Sequence, residues 1–253
     1  MLDIQCSQAV KASSSFVERR RKRGEDNVEW IQRHYPAGTD ATLLILVGGV
    51  DPVSLKIRMA QSAVRRDVTP SHWSHIAMLR NPAKSFAKTT LLEIRLDPDS
   101  GFQFPPETNA VQEGRLAEYR DVDRFPNIAL LDVPVPRRKV LDAVRRFRML
   151  RNVVNGVDLV TAWLPYVWGA TGVTNPLLQG IGLPSAVLLE HVVAATQFDL
   201  TPGLASRASC PEAIWQTAKW WHEFFEHRTA DSQLTHDHRP IRGQWVTSNP
   251  LCG

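Results

Sequence analysis

Residues 42–50 read TLLILVGGV, a short apolar run that ends in two glycines. A run of this length, closed by turn residues, is typical of a buried strand. Directly after it, residues 53–66 carry apolar side chains at helical spacing, which predicts a short amphipathic helix. The run therefore predicts a buried strand, a turn and a helix, in that order.

Three further strands are expected around this unit. Residues 72–79 (HWSHIAML) and 89–96 (TTLLEIRL) are predicted to pair through the turn near Asn81-Pro82, and residues 128–135 form a fourth strand. The expected fold class is α+β, with a small antiparallel sheet packed with helices. Residues 1–40 are predicted to be a polar, partly helical extension and 41–226 the main domain, with a long insert at about 151–205. Residues 227–253 are expected to be a loose tail, and the other predicted helices cover 137–150, 186–195 and 211–226.

Composition favours an ordinary globular protein. The chain has 253 residues, of which 43% are hydrophobic and 22% charged. The net charge of +4 is local, because residues 19–23 are all Arg or Lys. This run is suited to contact with acidic lipid or nucleic acid, or is a solvated helix start. The near-neutral remainder predicts no nucleic-acid partner. With no signal peptide and no spanning segment evident, the protein is expected to be cytoplasmic or exported without a signal peptide.

Cys210 precedes a predicted helix in the sequence Ala208-Ser209-Cys210-Pro211-Glu212. Proline at a first helical position marks the helix start. A thiol there lies near the positive end of the helix dipole, which favours the nucleophilic thiolate. The neighbouring amides would bind the oxyanion of a tetrahedral intermediate. Cys210 is therefore a candidate nucleophile, although a free cysteine is also commonly a small buried apolar residue. Its companions Cys6 and Cys252 lie in terminal segments, which argues against a disulfide framework.

His75 and Glu93 each interrupt a predicted apolar strand. If the two strands pair, Glu93 can accept a hydrogen bond from the His75 ring and set its tautomer. The alternatives are a core histidine with satisfied hydrogen bonds and a carboxylate that faces outward from a half-exposed strand. His72 is expected to face the opposite side from His75, because the two differ by an odd number of strand positions.

Residues 52–78 resemble the region leading through the catalytic histidine of circularly permuted NlpC/P60 proteins, which have a papain-like fold. The sequence Trp73-Ser74-His75-Ile76 matches their Trp-Ser-His-hydrophobic motif, and Glu93 matches the polar residue on their next strand. The sequence Cys210-Pro211-Glu212-Ala213 matches their Cys-Ser-Glu-hydrophobic motif, with Pro in place of Ser. The resemblance covers roughly residues 42–98 and 205–225, in the permuted order of His, acid and Cys.

The resemblance implies a thiol hydrolase, an amidase or cysteine peptidase, that uses a Cys210–His75–Glu93 triad and a Cys-acyl intermediate. The alternatives are a lipid acyltransferase or lipase of the lecithin:retinol acyltransferase-like type, and a non-catalytic papain-like binding module. No cofactor is implied. No metal is expected, because His222 and His227 are five residues apart and diverge around a helix. The candidate substrate-binding residues are Trp73, Ser74, Trp163, Tyr166 and Trp168. The last three are equally candidates for a lipid-facing surface or for the core.

Overall fold

The computed structural model describes residues 16–36, 38–81, 85–96, 104–151, 153–228 and 241–248, with only the backbone described at 81 and 225–228. These residues form one mixed α+β fold with a seven-stranded sheet and six α-helices. The strands are β1 (Phe16–Glu18), β2 (Ala41–Gly48), β3 (His75–Asn81), β4 (Thr90–Glu93), β5 (Gln112–Arg115), β6 (Asn127–Pro136) and β7 (Arg242–Val246).

The sheet order is β1-β7-β6-β2-β3-β4-β5. The pair β1–β7 is parallel, and every other neighbouring pair in this described sheet is antiparallel. The sheet is therefore larger than expected and mixed rather than wholly antiparallel. The predicted pairing of residues 72–79 with residues 89–96 is confirmed, since Met78 of β3 lies opposite Leu92 of β4.

Both terminal segments contribute to the sheet, which corrects two of our expectations. The predicted N-terminal extension contains β1, and the predicted loose tail contains β7, which pairs with β6 along Arg242–Val246. Short strands such as FVE carry too little apolar periodicity to be recognised alone. They are stabilised by pairing with a partner from the other end of the chain, which local sequence does not reveal. Residues 1–15, 229–240 and 249–253 lie outside the described part of the chain, and with them Cys6 and Cys252.

Strand β2 lies at the centre of the core, as its sequence predicts. Residues 43–47 have no exposed surface, so side chains on both faces of the strand are covered. Leu44 and Leu46 pack in the larger cluster with the helices that follow β2. Leu43, Ile45 and Val47 pack in a smaller cluster with the first helix. An uninterrupted apolar strand fits this two-sided burial.

The helices cover the two faces unequally. Helix α1 packs on the smaller cluster and α2–α6 on the larger, where α5 lies against β3 and α3. The apolar stretch 183–198 is mostly this α5, whose two faces are buried, so it does not form a lipid-facing surface. Among the described helices, none has the length and apolar character needed to cross a membrane. The helices are α1 (Asn27–His34), α2 (Pro52–Ala60), α3 (Arg137–Phe147), α4 (Gly156–Val167), α5 (Pro184–Ala194) and α6 (Pro211–Arg228).

Candidate active site

His75 and Glu93 meet at one end of the β3–β4 pair. Met78 lies opposite Leu92, so Glu93 falls opposite Ala77, and His75 lies diagonally from it on the same face. The His75 Nε2 donates to the Glu93 Oε2 over 2.7 Å. The Tyr119 hydroxyl donates to the same Oε2, also over 2.7 Å. The strand register thus forms the predicted histidine–carboxylate pair and adds a tyrosine that the sequence did not indicate.

The electrostatics of this trio favour an ionised carboxylate. Burial alone would raise the pKa of Glu93. The hydrogen bond and charge of His75, together with the Tyr119 hydroxyl, lower that pKa by more than burial raises it, so the net shift is downward. Burial and the Glu93 charge raise the pKa of Tyr119 well above its usual value, so Tyr119 remains a hydroxyl donor. An ionised Glu93 is acceptor-only, so the proton in the His75–Glu93 bond lies on Nε2. When the His75 ring is neutral, its lone pair is therefore on Nδ1.

Gly114 of β5 makes room for the Glu93 carboxylate. A Cβ added at Gly114 would lie 1.9 Å from the Glu93 Oε1 and 3.0 Å from its Cδ. Glu93 has no exposed surface, and its other oxygen already bonds to His75 and Tyr119. The carboxyl group therefore has little freedom to move away from an added methyl group.

We expect Gly114→Ala to lower the free energy of unfolding by about 1–3 kcal/mol through overpacking. It should also change the NMR chemical shifts of the His75 ring, because the Glu93 contact changes. Denaturant unfolding and histidine NMR measure the two effects. The control is Gly114→Ala in a Glu93→Ala background, where the methyl should cost less. An equal cost in both backgrounds would show that Glu93 is not the group displaced.

The side chains of Arg58, Gln61 and Ser74 hold the backbone that leads into His75. The buried Arg58 donates to the carbonyls of Ser71 (2.7 Å) and Gly49 (3.2 Å), and burial lowers the pKa of this guanidinium. Gln61 donates to the Trp73 carbonyl over 2.6 Å. The Ser74 hydroxyl donates to the Val47 carbonyl over 3.2 Å and accepts from the Gly49 amide over 3.1 Å. These bonds anchor residues 71–74 against β2 and α2, and so position the first residue of β3.

His75 lines a cleft at this end of the sheet. Its empty space, including open solvent at the mouth, is about 530 Å³. The His75 side chain is 15% exposed, and among the described residues its Nδ1 has no hydrogen-bond partner. The apolar lining residues are Val53, Ile57, Ile94, Leu96, Phe125, Leu183 and Pro184, and the polar ones are Asp51, Ser54, Ser74, His75, Arg95, Tyr119 and Ser185.

Ser185, which sequence reasoning did not select, lines the same cleft as His75. It is the second residue of α5, after Pro184 at the helix start, and α5 packs on β3. Leu183, the residue before the first residue of α5, has no side-chain acceptor to cap the helix amides. The Ser185 hydroxyl makes no hydrogen bond to another described residue. The available signal was the Leu-Pro-Ser-Ala sequence at 183–186, a helix start of the same kind as the one at Cys210-Pro211.

Cys210 lies elsewhere. It is the residue before α6, as predicted, but it has no exposed surface, does not line the His75 cleft and makes no hydrogen bond to His75. Burial raises the pKa of its thiol to about 12, although backbone hydrogen bonds from Ala213 and Glu212 act in the opposite direction. Desolvation therefore outweighs the helix-terminus effect on which the prediction relied. The expected Cys210–His75 pair is not formed in this structure.

The position of Cys210 follows from how α6 is anchored. The buried Glu212 accepts from the Ser71 hydroxyl over 2.5 Å and from Arg65 over 2.8 Å. Its amide donates to the Gln61 side chain over 2.8 Å. These contacts hold the first turn of α6 against the connection between α2 and β3. The Leu183 amide donates to the Ser209 carbonyl, so the segment before α6 runs beside the start of α5. The start of α5, and not Cys210, lines the cleft.

The predicted aromatic contacts with substrate are also corrected. Trp73 has no exposed surface and packs on Trp215, with ring centroids 4.9 Å apart. Trp163 is equally buried, and its Nε1 donates to the Gly182 carbonyl over 2.8 Å. Neither Tyr166 nor the half-exposed Trp168 lines the His75 cleft, and the Tyr166 ring lies 5.4 Å from the Lys56 ammonium. Of the five candidates for substrate binding, only Ser74 borders the cleft.

Within the described ranges, no group of three or more His, Cys, Asp or Glu side chains is arranged to hold a metal ion. None of the known protein families, curated proteins or solved structures compared with this chain matches it. The resemblance to permuted NlpC/P60 proteins therefore rests on the motifs around His75, Glu93 and Cys210.

Proposed function

We propose that this protein is a hydrolase or transferase that cleaves an amide or ester through a covalent acyl-enzyme. His75 is the general base, Glu93 positions it and Ser185 is the nucleophile. The observation that carries the proposal is that His75, with one ring nitrogen bound to buried Glu93, lines the same cleft as Ser185. This assignment replaces the Cys210 nucleophile expected from the sequence.

His75 meets the chemical requirements for a base. The contact with Glu93 places the proton on Nε2, so Nδ1 is the ring atom that accepts a proton. The ionised Glu93 stabilises the imidazolium that forms when Nδ1 is protonated. Tyr119 supports the ring as well, because the two rings stack with centroids 5.8 Å apart and an interplanar angle of 18°. These contacts hold the base in one orientation.

Ser185 has the surroundings that a hydroxyl nucleophile needs. Its hydroxyl faces no competing partner among the described residues. At the second and third positions of α5, the amides of Ser185 and Ala186 have no carbonyl available within the helix. Such amides, at the positive end of the helix dipole, stabilise developing negative charge. They are the groups that we assign to the oxyanion.

The reaction proceeds in two halves. The Ser185 Oγ attacks the carbonyl carbon and its proton passes to the Nδ1 of His75. Collapse of the tetrahedral intermediate breaks the bond to the amine or alcohol, which takes that proton and leaves. Water then transfers a proton to His75 and attacks the acyl group. The acid is released and the Ser185 hydroxyl is restored, and a second nucleophile in place of water gives transfer.

The cleft favours a substrate with an apolar acyl group. Half of its lining residues are apolar, and Val53, Ile57 and Leu183 are among them. Burial of such an acyl chain contributes about 25 cal/mol per Å² of apolar surface removed from water. An amide or peptide-like bond with an apolar acyl side remains the first candidate. A lipid ester is the second candidate, and the apolar lining is the observation that favours it.

We further propose that the fold is a permuted papain-like arrangement. The order along the chain supports this, because the histidine and the acid precede a nucleophile that opens a helix packed on the histidine strand. Ser185 then occupies the role that the resemblance gives to a cysteine. The Trp-Ser-His-Ile sequence at 73–76 is the other support.

The test of the reaction is acyl-enzyme formation from a 4-nitrophenyl ester of a medium-length fatty acid. Intact-protein mass spectrometry after rapid acid quench should show one added acyl group, and release of 4-nitrophenol should be fast. His75→Ala should remove both signals, whereas the control His34→Ala, at a half-buried position of α1 outside the cleft, should retain both. No adduct and no turnover with ester or peptide anilide substrates would contradict the proposal and favour a binding module.

A further inference from the structure

Helix α3 presents a basic outer face. Residues 137–151 contain seven Arg or Lys and a single carboxylate, Asp142. The inner positions, such as Val140 and Phe147, are buried against the core. The outer positions include Arg138, Lys139, Arg145 and Arg146, which are exposed. An ion pair of 2.7 Å between Arg145 and Asp142 neutralises one cation there, so the face remains strongly positive.

Three apolar side chains project beside these cations. Met149 is 79% exposed, Val153 is 74% exposed and Leu150 is 46% exposed, all within the turn that follows α3. Arg148 and Arg151 lie between them in sequence, and Arg148 contacts Glu113 over 3.4 Å. Large apolar side chains exposed this far, next to one another, are uncommon on a surface that faces only water.

A shallow groove continues this apolar surface onto α5. Met149 and Leu150 line it from the α3 side, with Arg145 and Arg146 at its border. His191, Val192 and Ala195 line it from α5. The arginines therefore border an apolar groove, which is the arrangement that a lipid head group and the upper part of its acyl chains require.

We propose that the outer face of α3 and the described residues of the turn after it, 138–151 and 153, dock on an anionic phospholipid bilayer. The exposed arginines lie at the level of the acidic head groups, and Met149, Leu150 and Val153 enter the region below them. This docking surface is distinct from the cleft of His75 and does not depend on the proposed reaction. It differs from the lipid-contact regions considered from the sequence, because α3 belongs to none of them and only the C-terminal end of the mostly buried α5 borders the groove.

The exposed apolar residues favour a bilayer over a nucleic acid. A phosphate backbone would pair with the arginines but would leave Met149 and Val153 in water. Among the described residues, no large exposed apolar side chain adjoins the basic run at 19–23 in sequence. Its Arg21 is a structural residue that donates to the Asn27 side chain (2.6 Å) and the Pro126 carbonyl (3.0 Å). The α3 face combines exposed cations with exposed apolar side chains, and the described part of the N-terminal run offers cations alone.

The test is sedimentation of the full-length protein with vesicles of phosphatidylcholine, with and without about 30 mol% phosphatidylserine. We expect binding only to the acidic vesicles. Arg145→Glu together with Arg146→Glu should weaken it at least about tenfold. Met149→Ser should weaken it several-fold, roughly, because one apolar side chain no longer leaves water. The matched control is Arg19→Glu with Arg20→Glu, two exposed arginines in the N-terminal run, which should leave binding nearly unchanged. Circular dichroism and thermal unfolding verify that each variant is folded.

Three results would overturn the proposal. One is no sedimentation with acidic vesicles, and another is an equal loss in the two charge-reversed variants, which would indicate non-specific attraction. The third is wild-type affinity in Met149→Ser combined with tighter binding to an RNA or DNA oligonucleotide, which would make this face a nucleic-acid surface. None of these results depends on catalysis, so they leave the acyl-enzyme proposal unaffected.

Discussion

Ser185→Ala is expected to lower kcat/KM for a 4-nitrophenyl ester by about 10³-fold or more, because it removes the proposed nucleophile and with it the acyl-enzyme route. The serine is buried and the change removes one oxygen atom, so the fold should be retained. His75→Ala should cause a loss of similar size, since the two residues act in one step. Their combination should cost little more than either change alone. Steady-state kinetics and the double variant measure these effects.

Two further variants separate the proposed serine from the cysteine that the sequence favoured. Cys210→Ala should retain kcat/KM to within a few-fold, since this thiol is buried and lies outside the cleft. Ser185→Cys should retain measurable turnover of the ester and acquire sensitivity to iodoacetamide, because a thiol then replaces the hydroxyl in the cleft that His75 lines. Loss of activity in Cys210→Ala with retention in Ser185→Ala would restore the thiol mechanism.

Trp163→Ala is expected to lower the free energy of unfolding by about 3–5 kcal/mol, because it leaves a cavity where a buried indole packs. For a chain of this length, that loss corresponds to a fall in Tm of about 10 °C. The change also removes the hydrogen bond from Trp163 to the Gly182 carbonyl, three residues before Ser185. Activity should therefore fall along with stability. Thermal and denaturant unfolding are the measurements.

The matched control for Trp163 is Trp168→Ala. Trp168 is 50% exposed at the end of the same helix, so its removal should change the free energy of unfolding by less than about 1 kcal/mol. It should also leave KM unchanged, since Trp168 does not line the cleft. A large increase in KM for Trp168→Ala with little effect of Trp163→Ala would instead support the substrate-binding roles that the sequence suggested.

The sequence predicts the inner part of the fold well, for identifiable reasons. Strands β2 and β3 and helix α2 follow from apolar runs and helical spacing, and the β3–β4 pairing follows from two apolar strands that are neighbours in the sequence. That pairing in turn brings Glu93 to His75. Residues 82–84 of the turn predicted near Asn81-Pro82 lie outside the described residues. Strand β5 was not predicted, because QEGR has no apolar alternation. It is formed by pairing with β4, and Gly114 is required there by the Glu93 carboxylate rather than by any local preference.

The nucleophile is the part of the candidate site that local sequence did not predict. Three described α-helices begin with proline, α2 at Pro52, α5 at Pro184 and α6 at Pro211, and the last two of these starts lie next to Ser185 and Cys210. Local chemistry favours the thiol, because a cysteine is the better nucleophile at neutral pH. Which start lies beside β3 depends on long-range contacts, chiefly those of Glu212 with Arg65 and Ser71. A buried site also reverses the pKa shift that a helix terminus alone would cause.

The most direct test of the account is the site of covalent modification by a fluorophosphonate, a reagent that phosphorylates activated serine hydroxyls. Tryptic mapping should place the label on Ser185 in the wild-type protein and in Cys210→Ala. Labelling should be lost in His75→Ala and Glu93→Ala, which lack the base or the group that positions it. Absence of label on Ser185, together with His75-dependent alkylation of Cys210 by iodoacetamide, would contradict the serine assignment and return the thiol to the active site.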